Sequence, residues 1–202
     1  MEQLSHTLDH VRRIVNIRTQ RAERSDIGQF LTPGAIARFM ASLFAPNRLD
    51  QVKILDAGAG AGVLFSAYVE ALISEGRRPL SIAVVAYEND SGILPELAQT
   101  MARCEAACGQ AGIAFHGEVR GEDFVTAAIA QTEEGLFTGG PGERFTHAIL
   151  NPPYKKINGQ SATRKRLDAA GMEASNLYTA FVWLAARMLA PGGELAAITP
   201  RS

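Results

Sequence analysis

The run with the most specific chemistry is Asn151-Pro152-Pro153-Tyr154, which directly follows the apolar stretch Ala148-Ile149-Leu150. An amine attached to an aromatic ring is a poor nucleophile, because its lone pair is delocalised into the ring. A site that holds both amine hydrogens on acceptors favours a pyramidal, more reactive nitrogen. The Asn151 side-chain oxygen and the Pro152 carbonyl can be those acceptors, and two consecutive prolines restrict the backbone and so fix where that carbonyl points. Tyr154 offers a flat face on which an extruded base can stack. The alternative is a rigid loop that only ends a strand.

Three further groups of residues lie upstream. Asp56-Ala57-Gly58-Ala59-Gly60-Ala61-Gly62 is a glycine-rich turn that lets a ligand approach the backbone. Its spacing is not that of the dinucleotide fingerprint, because the third glycine comes one residue early and Val63 stands in its place. The helix start after it would favour a negative group. Glu88, followed by Asn89, has a position suited to accept hydrogen bonds from both hydroxyls of a ribose; a solvated strand-end acid is the other reading. Asp123-Phe124 offers an acceptor for an adenine amino group and a ring to pack on it, or equally a capping Asp before a helix.

Positioning these groups requires strands that alternate with helices. Strands are expected at Val52 to Asp56, Ser81 to Tyr87, Ile113 to His116, Phe145 to Leu150 and Glu194 to Thr199. Helices are expected from the glycine turn to about Ile73, from about Pro95 to Cys108, near Val125, and from Leu177 to Leu189 up to Pro191-Gly192-Gly193. This alternation implies an α/β fold whose mainly parallel sheet is covered by helices on both faces. Before the first strand, Thr32 reads as an N-cap and Pro33 as the first helical residue, with Ile36, Phe39, Met40, Leu43 and Phe44 on one face and Pro46 closing the helix. Leu4, Leu8, Val11 and Val15 fall at helical spacing, so residues 1–27 read as an N-terminal helical segment ahead of a domain over 28–202. Thr138 to Arg144 and Lys155 to Gly171 read as irregular loops.

The 202 residues, 47% hydrophobic and 20% charged, suit one well-buried domain. Neither an apolar run of membrane-spanning length nor a secretory signal pattern is present in the sequence, so a cytoplasmic location is expected. A net charge of -1 excludes high phosphate affinity by bulk charge, leaving local patches. Lys155, Lys156, Arg164, Lys165 and Arg166 form one such patch after the Asn-Pro-Pro-Tyr loop, either nucleic-acid-contacting or simply solvated. Arg12, Arg13, Arg18, Arg21 and Arg24 read mainly as the polar face of a helix. His6 and His10 lack a third ligand in view, and Cys104 and Cys108 lack the extra ligands a zinc site needs, so no metal is expected.

The order Gly28-Gln29-Phe30-Leu31-Thr32-Pro33, Asp56-Ala-Gly-Ala-Gly, Tyr87-Glu88-Asn89, Asp123-Phe124 and Asn151-Pro-Pro-Tyr154 resembles the gamma class of N6-adenine DNA methyltransferases of restriction-modification systems. The resemblance implies a Rossmann-like class I S-adenosylmethionine-dependent fold, with transfer of a methyl group to the N6 amine of adenine in DNA. It places the cofactor among Phe30, Thr32, Pro33, Asp56, Gly58, Ala59, Gly60, Glu88, Asn89, Asp123, Phe124 and Asn151, and catalysis on Asn151, Pro152, Pro153 and Tyr154. Family members usually continue with an antiparallel strand pair and a target-recognition domain. The chain therefore reads as a catalytic part lacking both, with a homodimer or a separate specificity subunit as expected partners. RNA or a protein glutamine as acceptor, or a non-catalytic S-adenosylmethionine-binding subunit, are the alternatives.

Overall fold

The computed structural model describes residues 32–138 and 142–199, and side chains within them outside 132–138. Phe30, the expected N-terminal helix, its arginines and the pair His6 and His10 lie outside the described residues.

Five strands form one parallel sheet: β1 (Gln51–Ala57), β2 (Ser81–Tyr87), β3 (Ala114–Arg120), β4 (Phe145–Leu150) and β5 (Leu189–Ala197), in the order β3-β2-β1-β4-β5. Helices α1 (Gly34–Ala41), α2 (Val63–Ser74), α3 (Leu94–Gln110), α4 (Phe124–Thr138), α5 (Ala162–Ala169) and α6 (Leu177–Arg187) complete the described elements. Side chains alternate across a strand, so neighbouring residues feed opposite cores. Ile54, Val84 and Ile149 join Met40, Leu72, Leu97 and Met101 on one face. Leu55, Val85 and Leu150 join Phe124, Leu167, Phe181 and Leu184 on the other. Burial on both faces is why the strands read as nearly continuous apolar runs.

Several expectations are corrected. The third strand runs Ala114–Arg120, not Ile113 to His116, because pairing with β2 along its whole length carries it through polar residues. The last strand begins at Leu189, so Pro191-Gly192-Gly193 lies within it as a register irregularity opposite Phe145 and His147. Lys155 to Gly171 is not all loop: Ser161 accepts a hydrogen bond from the Arg164 amide and starts α5, whose Leu167 is buried. The buried side of α1 is Gly34, Ala37, Met40 and Ala41, while Ile36, Phe39 and Leu43 are 43%, 63% and 58% exposed. Small residues let α1 approach closely, and its C-terminal flank is fixed by Phe44 against Tyr68, ring centroids 4.4 Å apart. Thr32 is not a side-chain cap, since the N-cap residue is Pro33 and no side chain caps it.

The order reverses between β1 and β4, which places a crevice outside their carboxyl ends, the usual ligand position in open α/β sheets. Asp56, Glu88 and Asn151 all come from the carboxyl ends of β1, β2 and β4 or from the residue just beyond.

Candidate active site

The turn after β1 is shaped by its glycines. Gly58, Gly60 and Gly62 have φ of 74°, 55° and 81°, the left-handed region that side chains disfavour. The amides of Gly58 and Ala59 both donate to the Tyr87 carbonyl, at 2.9 and 2.8 Å, which ties the turn to the end of β2. Phe181 of α6 stands beside Gly58, its ring 3.4 Å from where a Cβ would sit.

Two buried carboxylates face this turn. Glu88 accepts from the amides of Gly60 at 2.9 Å and Asp90 at 2.8 Å, so it ties the glycine turn after β1 to the loop after β2. Burial pushes its pKa up, opposed by these backbone hydrogen bonds. Asp56 is fully buried; one oxygen accepts from the Phe65 amide at 3.3 Å and the other has no partner. Burial, reinforced by the nearby Glu88 charge, pushes its pKa to about 8. A buried acid with an orphaned oxygen beneath the glycine turn suits a cationic ligand, whose charge would lower the cost of ionising Asp56.

At β4, the Asn151 amide is held at both ends. Its Nδ2 donates to the Thr32 hydroxyl oxygen at 3.1 Å, and its Oδ1 accepts from the Tyr154 hydroxyl at 3.0 Å. A carbonyl oxygen has two lone pairs, so an acceptor such as Oδ1 can take more than one donor. The Leu150 carbonyl accepts from Ile198, and the Lys155 carbonyl accepts from Leu177, so the loop is anchored to β5 on one side and to α6 on the other. Pro152 is buried, and the Tyr154 ring meets Tyr178 edge-on at 6.5 Å.

The remaining expected residues separate into two groups. Asp123 accepts from the Thr126 amide at 2.8 Å, which makes it a cap of α4, and Phe124 packs between Tyr87 and Phe181, each centroid 5.1 Å away. Among the basic residues, Lys155, Lys156 and Lys165 are exposed. Arg164 is engaged with Asp168 and the Ala174 carbonyl, and Arg166 donates to Thr126 at 2.8 Å. Cys104 and Cys108 are buried in α3, where burial pushes the Cys108 thiol up to about 11. Among the described residues no cluster of potential ligands could hold a metal ion, and no helix is long and apolar enough to cross a membrane.

Two residues beside the candidate site were missed from the sequence. Tyr178 and Phe181 lie three apart near the start of α6, facing the Asn-Pro-Pro-Tyr loop and the glycine turn; the available signal was the Asn176 cap, which sets the phase of that helix.

A parallel sheet of this order, with a glycine turn after the first strand and an acid after the second, is the class I S-adenosylmethionine-dependent methyltransferase fold. A solved structure described as such an enzyme from Listeria monocytogenes superposes with a TM-score of 0.65 at 15% identity, covering 98% of this chain and 54% of that one. The methyltransferase subunit of a type I restriction-modification system from Streptococcus thermophilus superposes at 0.55 and 20% identity, covering 83% and 34%. The N-6 DNA Methylase family profile matches residues 16–202, and the chain belongs to that family. It is 40% identical over its whole length to 39% of the type II methyltransferase M.BsuBI of Bacillus subtilis. It is 36% identical over 98% of its length to 38% of M.PstI of Providencia stuartii. The chain thus spans about two fifths of the curated relatives it matches. Fold and family together indicate S-adenosylmethionine as the cofactor.

Proposed function

We propose that this chain is the cofactor-binding and methyl-transferring part of an enzyme that methylates the exocyclic N6 amine of adenine in DNA. The observation that carries the reading is the Asn151 amide at the switch point, clamped by Thr32 and Tyr154. The type II methyltransferase relatives and the family description support it.

S-adenosylmethionine would be held at Pro33 and the turn Asp56 to Gly60, with Glu88 and Asn89 toward the ribose and Asp123 and Phe124 toward the adenine, and would supply an electrophilic methyl group. Phe30 belongs to the same proposed lining. Asn151 Oδ1 and the Pro152 carbonyl would hold the hydrogens of the target amine while its nitrogen–carbon bond forms as the methyl–sulfur bond breaks, and the proton made acidic by the positive charge on nitrogen would pass to solvent water. Catalysis by these residues rests on orientation and on acceptors placed where charge develops. Neither cysteine reaches the crevice, so the base needs no covalent attachment to the chain. Lys155, Lys156, Lys165, Arg164 and Arg166 would meet phosphates beside the loop, with base recognition supplied by a further domain, a second copy or a specificity subunit.

The test is to incubate the intact protein with methyl-labelled S-adenosylmethionine and unmethylated DNA or RNA, followed by nucleoside mass spectrometry. N6-methyladenine in the DNA is expected. Label confined to RNA or to protein would overturn the acceptor, and S-adenosylmethionine binding with no transfer would overturn catalysis. Asn151→Ala is expected to abolish transfer while cofactor affinity stays within a few fold, since its Oδ1 is assigned to the target amine rather than to the cofactor and one lost hydrogen bond is worth about 1 kcal/mol.

A further inference from the structure

The target amine presents hydrogens, so only the oxygen end of the Asn151 amide can hold it; the nitrogen end would set donor against donor. An unrestrained asparagine amide rotates freely about its last torsion, which has a broad preference. Among the described residues, a bond at each end restrains this one. Tyr154 donates to Oδ1 from the loop itself, and Thr32 accepts from Nδ2 across 119 residues of sequence. Oδ1 therefore faces the Tyr154 side, where a stacked base would lie, and Nδ2 faces away toward the entry to α1. Thr32 is buried and its hydroxyl does not cap α1, so the segment spends a buried polar group on Asn151 rather than on its own helix. A buried hydroxyl without a partner would be costly, which makes the pairing mutually enforced.

We propose that Thr32 is a positioning residue for methyl transfer: it fixes the plane of the Asn151 amide so that Oδ1 meets the target amine. This rests on the proposed role of Asn151. It differs from the cofactor-lining role that resemblance alone gives Thr32, because it predicts a loss in turnover rather than in cofactor affinity.

Thr32→Val keeps the shape of the side chain and removes the hydroxyl, while Thr32→Ser keeps the hydroxyl. In the intact protein, Thr32→Val is expected to lower kcat about tenfold, the usual scale of one hydrogen bond. The affinity for S-adenosylmethionine and the KM for DNA are expected to stay within about twofold, and Thr32→Ser to restore most of kcat. Nuclear magnetic resonance of the Asn151 side-chain amide provides a reading independent of turnover. Its Nδ2 protons should exchange slowly in the parent protein and in Thr32→Ser, and quickly in Thr32→Val. An unchanged kcat, a parallel loss of cofactor affinity, failure of Thr32→Ser to restore, or unchanged exchange would overturn the proposal. A different acceptor would leave the exchange pattern intact and overturn only the reading of the substrate.

Discussion

Asp56 and Glu88 are buried within one crevice, and they meet the cost of burial differently. Glu88 satisfies both oxygens with backbone amides, whereas Asp56 leaves one oxygen bare and holds its proton to about pH 8. The folded state therefore binds a proton at Asp56 that the unfolded chain, with a carboxyl near 3.8, has released. The sign follows from linkage: the contribution of Asp56 to stability is full below about pH 3.8 and is lost as pH rises toward 8. Asn is a stand-in for the protonated acid. Urea unfolding across pH 4 to 8 should show the ligand-free parent protein losing stability relative to Asp56→Asn; a pH-independent difference would refute this. At this scale the positions of Asp56, Glu88 and Asn151 at the carboxyl ends of strands were legible in the sequence, because each closes or follows an apolar run bounded by a turn. Tyr178 and Phe181 were not, because aromatic residues on a helix read as ordinary core.

Among the elements, the start of α2 depends on the glycine turn more than on any cap. A Cβ on Gly62 would come within 2.5 and 2.7 Å of the Phe65 ring, and the backbone there is left-handed. Gly62→Ala is thus expected to cost about 2 to 4 kcal/mol, combining left-handed strain with overpacking. Chemical denaturation would check this, and a loss below about 0.5 kcal/mol would show that the turn relaxes freely. Strands buried on both faces were plain in the sequence, and Ser81 to Tyr87 and Phe145 to Leu150 fell at their observed limits. Other elements depended on tertiary context. The polar tail of β3 is ordered by its partner β2, and α5 contributes a single fully buried side chain, Leu167, too little for a periodic signal. Periodicity placed α1 but not its orientation, because its smallest residues, not its largest, face inward.

For the whole molecule, a net charge of -1 leaves any affinity for a polyanion to a local surface. Lys155, Lys156 and Lys165 are exposed lysines of the basic run, while Arg164 and the exposed Arg166 have partners within the fold. Replacing all three lysines with alanine should weaken DNA binding uniformly across sequences. It should also flatten the dependence of log affinity on log salt by roughly 0.9 for each phosphate contact removed. Anisotropy titrations of the intact protein between about 50 and 200 mM salt would measure the slope, and an unchanged slope would place the DNA path elsewhere.

The central strand β1 pairs on one side with β2, the next strand along the chain, and on the other with β4, which arrives some ninety residues later. Loop closure over such separations is entropically expensive and comes late in folding. Glycine turn and Glu88 can therefore assemble from the first half of the fold, but Asn151 reaches Thr32 only when the sheet has closed around β1. A nascent or partly folded chain would carry half a ligand pocket and no means of reaction. Under the proposed function, competence to modify a base is thereby tied to completion of the fold, and a chain that stalls before β4 docks is chemically silent.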